Sequence, residues 1–150
     1  NIDERYNFEK STESALKYLK YLNEKFKDWP LAIASYNRWQ NAISKALKEQ
    51  NVDNYFDLVL NDETSRYFFR ILAIKYVILD YETKKDKIDK VIGWTYEPIN
   101  YNYIDINYEI DDLKIWSKDN NYKYKDIKTL NPWILWDYLP KGERKIKIIK

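Results

Sequence analysis

Asn61–Leu79 reads NDETSRYFFRILAIKYVIL, and it carries the strongest helical signal in the chain. Asn61 or Asp62 is placed to cap a helix, and Asp62 and Glu63 fall in its first turn, where the helix dipole favours negative charge. Tyr67, Ile71, Ile74 and Ile78 form one apolar stripe, and Phe68, Leu72 and Leu79 form a second. A helix apolar on two sides is expected to be central in its domain.

Upstream, Ala15, Leu19, Leu22 and Phe26 recur at helical spacing, with Lys17, Lys20, Asn23 and Glu24 off the stripe and Ser11 or Thr12 as the expected N-cap. A second helix is predicted after Asp28, with Pro30 in its first turn and Leu31, Ala34 and Ser35 suited to close packing. A break near Asn37 precedes a third helix, Gln40 to Gln50, that buries Ile43, Ala46 and Leu47. Asn51 to Asn54 reads as a turn and Tyr55 to Leu60 as a short apolar run.

Downstream the character changes. The charged run Glu82 to Lys90, then Gly93 and Pro98, reads as a connection over residues 81–100. From Tyr101 the residues alternate as in a strand. Two short helices follow, Asp111–Asp119 and Lys123–Leu130, and Lys145–Ile149 alternates Lys and Ile as a closing strand. The fold class expected is mainly α: a helical domain over 1–80, a linker over 81–100, and a small β-α-α-β module over 101–150.

Composition narrows the chemistry. The chain has 150 residues, 45% hydrophobic and 17% aromatic, so disorder is not expected. A formal charge of +2 gives no reason to expect nucleic acid. There is neither Cys nor His. Imidazole–zinc sites, Ser-His and Cys-His pairs are therefore excluded, and catalysis would fall to carboxylates, Tyr or Lys. No cofactor and no metal are expected. No window approaches the roughly 20 apolar residues of a membrane span. The absence of Met reads as a processed or truncated product, from which a targeting signal could have been removed.

Three stretches carry a resemblance. Asn1–Leu22 (NIDERYNFEKSTESALKYLKYL), Asp28–Asn37 (DWPLAIASYN) and Asn54–Ala73 (NYFDLVLNDETSRYFFRILA) resemble, in order and spacing, the lytic murein transglycosylases of the membrane-bound D type. Asp111–Trp133 (DDLKIWSKDNNYKYKDIKTLNPW) resembles a LysM motif, although YEIDDL stands where the family's entry usually reads GDTL. The resemblance implies the C-terminal part of a lysozyme-like helical domain followed by a LysM-like module. It also implies a bacterial envelope location, periplasmic or outer-membrane associated, and peptidoglycan glycan strands as partner.

In that family one glutamate protonates the glycosidic oxygen of the MurNAc–GlcNAc bond and then deprotonates the sugar's own C6 hydroxyl, leaving a 1,6-anhydro end. Such an acid needs an apolar pocket that keeps it protonated. The segment that carries it is not matched here, and Glu13-Ser14 only imitates it, so no catalytic residue is assigned. Tyr36 and Asn37 match the family's AYN motif, whose members line the sugar cleft. Glu63, Thr64 and Tyr67 match its ETxxY motif, with Tyr67 a supporting residue beside the acid. Core packing explains the two tyrosines equally, and helix ends explain Asn37, Glu63 and Thr64. Arg38 and Trp39 stand where the family has Gly, and could fill the cleft or stack on sugar. Two functions follow: a portion of a lytic transglycosylase, or a non-catalytic glycan-binding or envelope-assembly subunit with a protein partner. In the C-terminal module Trp116 is expected in the core, while Trp133 and Trp136 are balanced between packing and glycan stacking.

Overall fold

The computed structural model describes residues 1–92 and 98–149. A 3-10 turn (Glu4–Tyr6) leads into α1 (Phe8–Phe26), α2 (Trp29–Asn37), α3 (Gln40–Gln50) and the long α4 (Asp62–Ile92). Then come β1 (Tyr101–Ile106), α5 (Leu113–Asp119), α6 (Tyr124–Leu130) and β2 (Arg144–Ile149). The architecture is mainly helical with one two-stranded antiparallel sheet, as expected from the sequence. Among the described residues no helix is long and apolar enough to cross a membrane.

Packing divides the chain into two compact units: Ser14–Thr95, and Asn1–Glu13 together with Tyr96–Lys150. The division falls inside α1.

In the helical unit, the α1 stripe is where its spacing placed it: Leu22 is fully buried, and Ala15, Leu19 and Phe26 are half-buried. The start of α1 corrects the expectation of a cap at Ser11 or Thr12. Asn7 is the capping residue, accepting the Lys10 N–H at 3.0 Å, so the helix begins a turn earlier. Asp28 caps α2 by accepting Leu31 N–H at 2.6 Å, ahead of Pro30 in the first turn. Leu31, Ala34, Ile43, Tyr55 and Leu58 form the core of this unit. Ser35 is buried beside them for its size, since its hydroxyl has no partner. Asn51 ends α3 in the left-handed region, φ 53°, a conformation Asn tolerates.

α4 overturns the expectation of a helix buried on two sides. Tyr67, Phe68, Ile71 and Leu72 are half-buried, but Ile74, Val77, Ile78 and Leu79 are exposed. Among the described residues, burial along α4 is greatest in its first turns, and α2 is its main packing partner. Residues read as the start of a connection continue the helix to Ile92, with non-helical φ/ψ at Lys84. Gly93, in the same reading, lies outside the described residues, whereas Pro98 is described.

The second unit closes on itself. β1 and β2 pair from Tyr101↔Ile149 to Ile106↔Arg144. One sheet face sends Ile106 and Ile146 into a core with Ile110, Leu113, Ile127, Trp133, Ile134 and Leu139. Asn131 is fully buried and ties this core together: its amide donates to the carbonyls of Ile127 and Lys147 and its oxygen accepts Lys147 N–H, at 2.8–2.9 Å. Ile2 adds a bridge to Ile134, and Asp3 N–H donates to Trp133 O at 2.9 Å. Trp116 is half-buried against the core, with its ring N–H on the Tyr108 hydroxyl at 3.0 Å. Trp133 is core and Trp136 is 65% exposed, which separates two residues the sequence left level.

Candidate functional site

The locus marked by the sequence is built where the end of α2 meets the start of α4. Three local devices fix the α4 start. The Asn61 side chain accepts Thr64 N–H. The Gln50 amide clamps Val59, accepting its N–H at 2.8 Å and donating to its carbonyl at 2.9 Å. The Tyr55 hydroxyl donates to Ser65 O at 2.6 Å, its ring set against Phe56 and Phe68 with centroids 5.5 Å away. Burial pushes the Tyr55 phenol up, so it stays a neutral donor.

On that support Asn37, Glu63 and Thr64 come together. Buried Thr64 donates its hydroxyl to Asn37 Oδ1 at 2.9 Å, and Asn37 Nδ2 donates to Glu63 Oε1 at 3.1 Å. The relay sets the amide orientation of Asn37 and leaves Glu63 exposed at its outer end. Tyr67 is half-buried, three residues beyond Thr64 and so on the same side of α4. Tyr36 sits at the end of α2 with its ring 5.9 Å from Tyr18, which lies 6.1 Å from Tyr21 and stacks on it. All three rings are more than a third exposed.

Tyr18 and Tyr21 are the residues sequence reasoning passed over. Their signal was available: they lie three apart on α1 and off its buried stripe, an arrangement that puts two rings on one open face. Arg38 and Trp39 are both exposed, Trp39 at 83%, so Trp39 does not fill a packed space.

Residues 1–58 match the family "Transglycosylase SLT domain", and residues 102–150 match "Soluble lytic transglycosylase C-terminal LysM-like domain". The chain is similar to membrane-bound lytic murein transglycosylase D of Escherichia coli K12 and to its counterpart in Escherichia coli O6:H1. Each is 31% identical over 83 residues, 52% of this chain and 18% of the relative. The chain thus matches less than a fifth of the length of these relatives.

Proposed function

We propose that this chain serves a lytic transglycosylase, engaging the MurNAc–GlcNAc glycan of the bacterial cell wall. Residues 1–80 would act as the SLT-type portion and 101–150 as the LysM-like portion. The observation that carries the reading is the Thr64–Asn37–Glu63 relay beside the exposed Tyr36. An oriented amide offers a sugar both a donor and an acceptor, and a phenol ring offers it a flat apolar face. Tyr67 lies on the same side of α4 as Thr64 and is assigned to supporting the groove. Glu63 is assigned to holding Asn37 rather than to proton transfer, because it is exposed and its carboxylate is engaged by that amide. The general acid is assigned to none of the described residues. The relatives' name, membrane-bound lytic murein transglycosylase, supports an envelope location.

The test is retention of the chain on purified peptidoglycan sacculi. Asn37→Ala and Tyr36→Ala should each lower retention about fivefold or more, the scale of one lost polar or aromatic anchor. Retention unchanged in both variants would sink the assignment of this locus. The exposed Ile74, Val77 and Ile78 favour a second reading, an envelope-assembly subunit with a protein partner. It would prevail if the locus variants changed nothing and substitution of these residues released a co-purifying envelope protein.

A further inference from the structure

The first residues of the chain belong by sequence to one family and by packing to the other. Residues 1–58 match the SLT family, yet Asn1–Glu13 packs with Tyr96–Lys150, the unit that contains the LysM-like match. This strap is held at two separated points. At the first, Ile2 bridges Ile134, with Asp3 N–H donating to Trp133 O at 2.9 Å and Leu135 N–H to Asn1 O at 3.0 Å. At the second, Glu9 is ion-paired with Lys147, whose side chain is only 14% exposed.

Between these anchors the strap satisfies its own polar groups. Tyr6 N–H donates to Asp3 O at 3.1 Å, and Asn7 N–H to Glu4 O at 3.0 Å. Asp3 holds Arg5, Glu4 holds Lys10, and the Asn7 side chain caps α1. Among the described residues, no backbone hydrogen bond joins residues 4–8 to Tyr96–Lys150. Lifting this span therefore strands no polar group within it. The span is one wall of a cleft of about 480 Å³ beside β1 and β2. Phe8 and Lys10 line it from the strap, Leu130, Pro132 and Trp133 from the segment after α6, and Tyr103 from β1.

The core of the unit does not need the strap. Its buried residues come from the two strands, the two helices and the loops that join them, and of the strap only Ile2 packs against them. Lys147 is a firm anchor, because buried Asn131 holds both its backbone groups and its ammonium lies 4.5 Å from the Tyr101 ring centroid. A partly shielded ion pair on a fixed backbone is screened less than one at the open surface.

We propose that residues 1–10 form a lid that swings off this cleft as one piece while the core stays folded, with the Glu9–Lys147 pair as the latch. Entry to the cleft is then set by the latch rather than by unfolding. The lid is independent of the glycan reading of the α2–α4 locus.

The test is native-state hydrogen exchange of the full 150-residue chain, read amide by amide by NMR. The Asp3 and Leu135 amides report the bridge, and those of Ile110 and Leu139, bonded to each other's carbonyls, report the body of the same unit. Relative to unstructured rates, the first pair should exchange about tenfold or more faster than the second. Lys147→Met keeps the side-chain stem and removes the charge. It should speed Asp3 and Leu135 about threefold or more and leave Ile110 and Leu139 unchanged. Glu9→Gln should act alike, and the two together no more than either alone. Glu9 is exposed, so Glu9→Gln carries the comparison if Lys147→Met lowers the melting temperature. Equal exchange at all four amides, or latch variants that speed all four together, would overturn the proposal, since the strap would then open only with the core. Latch variants that leave Asp3 and Leu135 unchanged would overturn it as well, because the chain end would then fray without lifting the span.

Discussion

The two units bury their apolar residues by different means. The β-α-α-β unit surrounds eight buried hydrophobic residues with two strands, two helices and the loop between α6 and β2. Among the described residues the helical unit buries seven, but it sends much of α4 into solvent, with Ile74, Val77 and Ile78 at 60%, 68% and 52% exposure. The difference is a partner: each inward residue of the small unit faces another element, whereas most of α4 has none among the described residues. Periodicity reveals which residues could be buried, and only a neighbouring surface buries them.

Core truncation gives the sharpest contrast. Leu113→Ala, at a fully buried position, should cost about 2–5 kcal/mol, whereas Ile74→Ala should stay within about 0.5 kcal/mol. Urea unfolding followed by tryptophan fluorescence would measure both, and equal losses would break the comparison. Next is Asn131→Ala, which leaves both half-buried backbone groups of Lys147 without their partner; about 1–3 kcal/mol is expected in the same assay. Its counterpart in the helical unit is Thr64→Val, which removes one hydrogen bond to Asn37 and should cost about 1 kcal/mol. If Thr64→Val proved the more damaging, the relay would be the better-anchored network.

The smallest effect concerns acid. The Lys114 ammonium, with the Tyr124 hydroxyl second, holds the Asp137 carboxyl below the ordinary aspartate value of 3.8. A lowered folded pKa means the interaction stabilises the fold above that value and is lost as pH falls through the lowered one. Urea midpoints of wild type should therefore drop on acidification through the aspartate range. Asp137→Asn should flatten that part of the profile slightly, and an unchanged slope would count against the linkage.

Much of the fold was legible. Short elements bounded by strong punctuation fell where the sequence set them: α3 spans Gln40–Gln50 as read, and α5, α6 and β2 begin within about two residues of expectation. Leu22, Ala34 and Ile43 are buried as their spacing required. The cap of α1 was misplaced because Ser11 and Thr12 are good capping residues that lie inside a helix already begun by Asn7. The length of α4 was missed because the charged run after Glu82 is compatible with a solvated helix as well as with a linker. At the candidate site, motif matching named Tyr36, Asn37, Glu63, Thr64 and Tyr67 one by one. That Asn37 links Thr64 to Glu63 could not be read, since it depends on two helix ends meeting. The cleft beside β1 and β2 escaped for the same reason: Phe8 and Tyr103 are distant in sequence and share no motif.

Ile2 pairs with Ile134, and Leu135 N–H donates to the Asn1 carbonyl, so neighbours in this unit come from almost opposite ends of the chain. During synthesis Asn1–Asp3 must wait for these partners until Leu135 has left the ribosome. Closing so long a loop also carries a large entropic cost. The Asn1–Glu13 strap is therefore expected to dock late and to be the first part to open when the protein is warmed, ahead of the core it covers.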